Sequence, residues 1–268
     1  LQHSQVPTAR AIALCADESV LGRAFYLMDF VPGKVFWDPR LPELNSEQRA
    51  QVFAEMNRVL VAIHGLDPGA VGLADFAAPG NYYDRQIGRW TKQYRASEQD
   101  RIEAMESLIA WLPANQPKPE QIETRLLHGD YRLDNFIFDP ASLQISAVLD
   151  WELATLGDPM AELAYNALAW YSPPGAMRGM AGFDLTGHGI PSLLDYRAQY
   201  ERASGRTVGA HWNFYLAYNL FRLAAIMQGV AARARQGIAS SAAASAQGAL
   251  ARPAAELGWT LANETATY

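Results

Sequence analysis

Two short apolar runs open the chain. Residues 11–16 (AIALCA) and 24–31 (AFYLMDFV) are separated by Asp17, Glu18 and Gly22. Runs of this length, rich in aliphatic and aromatic residues and bounded by turn formers, predict the two strands of a hairpin. Pro32-Gly33 ends the second run, and the proline-bearing stretch to Asn45 predicts irregular chain. The apolar period then changes to that of a helix. Val52, Phe53, Met56, Leu60 and Ile63 predict a helix over 46–64 with Ser46 as N-cap. Arg49 stands where the partner of a capping box on Ser46 would have to be acidic, so no box is expected. Residues 81–112 predict further helix, broken near Ser97, and 115–119 a proline-bearing connector.

Residues 126–163 read LLHGDYRLDNFIFDPASLQISAVLDWELATLGDPMAEL. Two apolar runs each carry a tight cluster of polar groups, and Asp139-Pro140-Ala141-Ser142 between them predicts a turn. The expected hairpin brings Asn135 and Asp150 to the same end, because they bracket its two antiparallel strands. Asp158-Pro159 then predicts a helix start, an N-cap aspartate followed by proline at the first helical position. That helix is expected to end at Ser172. Residues 176–191 predict a glycine-rich irregular stretch, 192–204 and 211–235 two helices. The alanine-rich 237–260 predicts a packing helix interrupted at Pro253.

Composition narrows the function. The 268 residues suit one large domain or two small ones, and half of them are hydrophobic, enough for a sizeable core. A net charge of −6 argues against non-specific nucleic-acid binding. The single cysteine, Cys15, excludes an internal disulfide framework and a multi-cysteine zinc site; it reads as a buried small residue. No apolar run reaches membrane-span length and no signal peptide is visible at the start, so no membrane partner and a cytoplasmic location are expected. The chain opens without Met, and the expectation is an N-terminus that lies upstream.

The polar clusters carry the chemistry. Asn135 and Asp150 offer the amide and acid oxygens that Mg²⁺ prefers. Asp130, five residues before Asn135, is placed to accept a proton from a hydroxyl nucleophile, and Arg132 supplies a cation nearby. A base, metal ligands and a cation are what phosphoryl transfer needs. A polar turn in which these side chains merely cap backbone groups is the plain alternative. A metallohydrolase built on His128, Asp130 and Asp150 lacks the further histidines usual in zinc sites.

HGDYRLDN, followed fifteen residues on by LDWE and then GDP and an apolar helix, resembles the catalytic core of the aminoglycoside phosphotransferase and choline kinase superfamily. Together with FYLMDFVPGKVFWDP, it is most similar to the phosphotransferase-like domain fused to some acyl-CoA dehydrogenases, and the likeness spans essentially the whole chain. The resemblance implies an α+β, protein-kinase-like fold: a mostly helical large lobe over 32–268 with a central catalytic hairpin, and the last part of a β-rich small lobe with the hinge over 1–31. It implies ATP and Mg²⁺ as cofactors and a small-molecule hydroxyl as acceptor. It makes Asp130 the catalytic base and Asn135 and Asp150 the metal ligands. Arg132 falls where protein kinases place a lysine near the γ-phosphate. His128 becomes a brace for the loop, Glu152 a supporting acid and Asp158 a cap that braces the catalytic loop. Backbone groups of Asp29 and Val31 at the hinge, with Met28 before them, would meet the adenine edge; Ile137 and Leu149 would lie under the ring.

One departure stands out. Only 27 residues precede Met28, with no glycine-rich loop and no strand lysine. The expectation is therefore a chain whose small lobe begins upstream, leaving an unpartnered sheet edge prone to pairing with a second copy. For the acceptor, residues 172–211 hold few acids (Asp184, Asp195, Glu201) and several aromatics (Tyr196, Tyr200). That argues against polycationic aminoglycosides, and the resemblance suggests a hydroxyacyl compound instead. Aminoglycoside or choline-type kinase activity is the alternative acceptor reading. A non-catalytic, pseudokinase-like binding module is the alternative class.

Overall fold

The computed structural model describes residues 1, 3–77, 80–175, 177–235 and 244–264. In chain order the elements are β1 (Ala11–Cys15), a single turn α1 (Glu18–Leu21), β2 (Phe25–Met28), α2 (Ser46–His64), α3 (Tyr82–Ser97), α4 (Glu103–Asn115), β3 (Arg125–Leu127), β4 (Phe136–Phe138), β5 (Ile145–Val148), β6 (Thr155–Gly157), α5 (Pro159–Tyr171), α6 (Leu193–Ser204), α7 (Trp212–Arg235), α8 (Ala244–Gly248) and α9 (Ala251–Asn263). Short 3₁₀ turns at Leu133–Asn135 and Trp151–Leu153 lie within the two polar clusters. The strands form three antiparallel two-stranded ribbons, β1–β2, β3–β6 and β4–β5. No described helix is long and apolar enough to cross a membrane.

The chain divides into two compact units. The first gathers residues 1–73, 128–154 and 183–206; the second gathers 74–127, 155–182 and 207–268. In the first unit α2 packs on α6 and on β5. Its core is aromatic: Phe36 meets Phe138 at 5.1 Å, Phe138 meets Phe136 at 6.1 Å, and Phe136 meets Tyr131 at 4.6 Å. In the second unit α7 packs on α3, α5, α8 and α9, and β3 on β6. Ala254, Ala255 and Gly258 are buried on α9, and a Cβ at Gly258 would stand 3.0 Å from Leu220 Cβ. Small residues let α9 lie close against α7, which is why an alanine-rich segment serves as a packing helix.

Several local expectations change. The N-cap of α2 is Asn45, one residue earlier than Ser46, and the shift creates the capping box thought absent: Gln48 N–H donates to Asn45 Oδ1 at 2.9 Å and Asn45 N–H to Gln48 Oε1 at 3.0 Å. Helix α9 runs through Pro253, which sits in its first turn where no intrahelical donor is needed. The break in the alanine-rich segment falls before Ala251 instead; residues 236–243 lie outside the described residues. Residues 155–157 form a strand by pairing with 125–127, which local pattern did not suggest. Cys15 is half-buried on the β1–β2 ribbon, most of which faces solvent. Leu14 is 76% and Phe30 90% exposed.

Candidate active site

The hairpin β4–β5 places the two polar clusters side by side. Phe136 pairs with Val148 and Ile137 with Ala147, and Leu149 N–H donates to Asn135 O at 2.8 Å. Asn135 and Asp150 therefore flank one end of the ribbon, as the spacing predicted. The Asn135 amide nitrogen donates to Asp130 twice, to its carbonyl at 2.8 Å and to its carboxylate at 3.0 Å. An amide that spends its NH₂ on Asp130 keeps its Oδ1 for another partner. Asp130 is half-buried, Asn135 buried, and Asp150 and Glu152 are exposed.

Backbone conformation is part of the arrangement. Asp150 has φ 63° and ψ 57°, the left-handed region that Asp and Asn tolerate better than other side chains. Gly129 has φ +86°, and a Cβ there would lie 2.2 Å from Leu153 O. Only glycine fits between His128 and Asp130, because the loop presses on the chain just after Glu152.

His128 joins the two clusters. Its Nδ1 accepts the Asp130 N–H at 3.2 Å, so Nε2 carries the proton and donates to Leu149 O at 2.7 Å. The buried ring lies between Tyr131 at 6.1 Å and Trp151 at 4.6 Å, and Trp151 Nε1 donates to Val148 O at 2.9 Å. Arg132 sits between two acids: Nη2 is 2.6 Å from Asp134 Oδ2 and Nε 3.8 Å from Asp130 Oδ1.

The residues expected at the hinge and beneath the adenine lie in the same unit. Ile137 and Leu149 are half-buried, as is Val31, and Met28 is exposed. Asp29 N–H donates to Arg10 O at 2.9 Å while its carboxylate takes the Arg10 guanidinium at 2.9 and 3.3 Å. Gly33 packs against the hairpin, where a Cβ would meet Ile137 Cγ2 at 2.4 Å, and Lys34 pairs with Phe138.

Asp158 belongs to the second unit. It caps α5 by accepting the Met160 N–H at 2.9 Å and takes the Tyr83 hydroxyl at 2.9 Å. Burial pushes its carboxyl up to about 6, against hydrogen bonds from Met160, Tyr83 and Tyr215 that pull the other way. The same burial raises the Tyr83 phenol well above its ordinary range. The capping role expected of Asp158 is what the geometry displays.

Other side chains read differently in place. Tyr196 and Tyr200, expected near the acceptor, are fully buried: Tyr196 meets Phe53 edge-on at 6.3 Å, and Tyr200 takes the His64 ring at 2.7 Å. Both are core residues of the first unit. Asp184 accepts the Thr186 N–H at 3.1 Å and Asp195 the Ser192 hydroxyl at 2.6 Å, so both acids serve turns and caps. Asp134, Tyr131 and Trp151 had no assigned part and prove to hold Arg132 and His128. Their position inside or beside the two clusters was the available signal.

A phosphotransferase enzyme family model matches residues 1–212, and the chain belongs to that family. It is 45% identical over 266 residues to acyl-CoA dehydrogenase family member 10 from Mus musculus, covering 98% of this chain and 25% of that protein. The chain thus spans about a quarter of that curated relative. A crystal structure of a candidate aminoglycoside phosphotransferase from Ralstonia eutropha superposes with TM-score 0.92 at 50% identity, over 98% of this chain and 80% of that one. A thermostable mutant of aminoglycoside phosphotransferase APH(4)-Ia in ternary complex with ADP and hygromycin B matches with TM-score 0.63 at 15% identity, over 97% and 79%. That likeness shows the fold: mostly helical α+β, of the protein-kinase-like kind.

Proposed function

We propose that the protein transfers the γ-phosphoryl group of ATP to a hydroxyl of a small molecule. The observation that carries this reading is the double hydrogen bond from the Asn135 amide to Asp130, with Asp150 just past the end of the paired strand. In this reading Asp130 accepts the proton of the attacking hydroxyl, aligned by Asn135 and by the His128 contact to its own N–H. Arg132 stands beside Asp130 to meet charge on the transferred group. The neutral amide oxygen of Asn135 and the exposed carboxylate of Asp150 fit a hard divalent cation, so these two residues would hold Mg²⁺. Bound there, the cation supplies neutralisation of phosphate charge. Residues 1–31 act as the end of the small lobe and hinge, with Asp29 and Val31 backbone groups toward adenine and Ile137 and Leu149 beneath it. Glu152 supports the metal side.

For the acceptor we favour a hydroxyacyl compound. The support is the likeness to acyl-CoA dehydrogenase family member 10 and the small number of acids over 172–211, where a polycation would want many. Two measurements decide the proposal. Asp130→Asn should abolish Mg²⁺-dependent transfer while thermal unfolding stays within a few degrees of the wild type; undiminished turnover would refute the assigned base. A screen of hydroxyacyl thioesters, aminoglycosides and choline identifies the acceptor, and a preference for aminoglycosides would overturn the acyl reading. The solvent-facing β1–β2 ribbon favours a second reading, a binding module without turnover. Titration of this chain with Mg²⁺–ATP separates the two, since absence of binding supports the module.

A further inference from the structure

Helix α2 touches both arms of the site through side chains that the catalytic reading does not use. Glu55 is only 8% exposed, yet it carries a carboxylate. Its Oε1 accepts the N–H of Ile145 at 2.9 Å, at the first residue of β5. Arg58 forks onto both Glu55 oxygens at 2.7 Å and keeps its side chain half exposed. One turn earlier, Gln51 Nε2 donates to Ser142 O at 2.5 Å in the hairpin turn. The next residue after Glu55 holds the other arm: the buried Tyr131 hydroxyl donates to Met56 O at 2.7 Å. Tyr131 lies between Asp130 and Arg132 in the chain.

A buried carboxylate is costly unless it satisfies neighbouring donors. An apolar residue at position 55 would avoid that cost but would leave the Ile145 N–H unsatisfied at the start of β5, the strand that leads to Asp150. We propose that Glu55 and Tyr131 form a two-point clamp through which α2 sets the spacing of the Asp130 loop and the Asp150 strand, making both of them positioning residues for the reaction. This rests on the reading of Asp130, Asn135 and Asp150 given above. Glu55 governs the metal-ligand arm and Tyr131 governs the base arm.

The test uses the whole chain and needs no acceptor. Mn²⁺ is titrated in the presence of ADP by electron paramagnetic resonance, and amide exchange is followed at Ile145 and Leu149. Glu55→Ala should weaken Mn²⁺ binding about tenfold, as loss of an outer partner does at metal sites, and should speed both amides. Glu55→Asp keeps the charge for Arg58 but is one methylene too short for Ile145, and should weaken Mn²⁺ likewise; it also serves if the alanine variant folds poorly. Glu55→Gln keeps an acceptor oxygen and should recover binding. Tyr131→Phe should lower the slow Mg²⁺-dependent transfer of the ATP γ-phosphoryl group to water about tenfold while Mn²⁺ affinity holds. The clamp is overturned if the Ile145 amide loses protection in Glu55→Ala and Glu55→Asp while Mn²⁺ affinity stays within twofold of the wild type. Failure of the wild type to bind Mn²⁺–ADP is a different outcome: it overturns the metal-site reading itself.

Discussion

The N–H of Val148 donates to the carbonyl of Pro7 at 2.9 Å. On the opposite edge of the same hairpin, Lys34 and Phe138 exchange both backbone bonds at 2.8 Å. The chain just before β1 and the chain just after β2 are thus both fastened to β4–β5. The site hairpin is held at both edges by the segments that bracket Asp29 and Val31, the residues proposed for the hinge. This is how a ribbon of only three and four residues becomes a rigid platform, since an isolated hairpin is marginal in water.

The Gly33 contact tests that fastening. Gly33→Val would drive side-chain atoms into Ile137 Cγ2 and the Phe138 carbonyl, 2.4 and 2.6 Å from the first added carbon. The backbone cannot yield without losing the Lys34–Phe138 pairing. We expect a loss of about 1–3 kcal/mol in urea-induced unfolding, with nucleotide affinity falling more than stability. An unchanged urea midpoint would show that the edge is not under tension from packing.

Asp150 separates charge from backbone. Asp150→Asn keeps a residue that tolerates φ near +60° but removes the negative charge. Its melting temperature should match the wild type while Mg²⁺-dependent transfer falls about a hundredfold or more. Asp150→Val adds a β-branched side chain at the left-handed position and should cost about 1–3 kcal/mol of stability besides. Calorimetric melting of the two variants, side by side, distinguishes the effects.

His128→Ala removes two hydrogen bonds and leaves a cavity between Tyr131 and Trp151. The expected loss is about 3 kcal/mol in chemical denaturation, with turnover reduced because the Asp130 loop and the strand leading to Asp150 are no longer tied. A variant that keeps full turnover would show that the ring is filler and not a brace.

Asp158 gives a pH dependence of known sign. Its carboxyl lies at about 6 in the folded chain against an ordinary 3.8. The folded state therefore holds this proton more tightly than the unfolded state. The contribution is fully present below about pH 4 and is lost as pH rises through 6, about 3 kcal/mol in all. Asp158→Asn should flatten the slope of unfolding free energy between pH 4 and 6.5. Equal slopes in the two proteins would refute the assignment.

Much of this was legible in the residues themselves. The spacing of Asp130, Asn135 and Asp150, the turn at Asp139-Pro140 and the cap at Asp158 are local, and local signals survive in sequence. The alternation of Phe136, Ile137 and Phe138 sets which side chains face the core: Phe136 and Phe138 are buried and Ile137 is not. The strand β6 was not legible, because Thr155-Leu156-Gly157 is a strand only by virtue of a partner thirty residues away. Nor was the fate of Tyr196 and Tyr200, whose tyrosyl groups suit a pocket or a core equally until His64 and Phe53 are placed beside them.

The sequence alone determined the two polar clusters and the hairpin that carries them, because period, turn chemistry and spacing act over a few residues. The tertiary structure decided what holds them. The bonds from Pro7 and Glu55 to the hairpin, and from Met56 to Tyr131 in the Asp130 loop, join residues 75 to 141 positions apart. No periodicity records such a pairing; only packing in three dimensions gives Glu55 its strand and His128 its two loops.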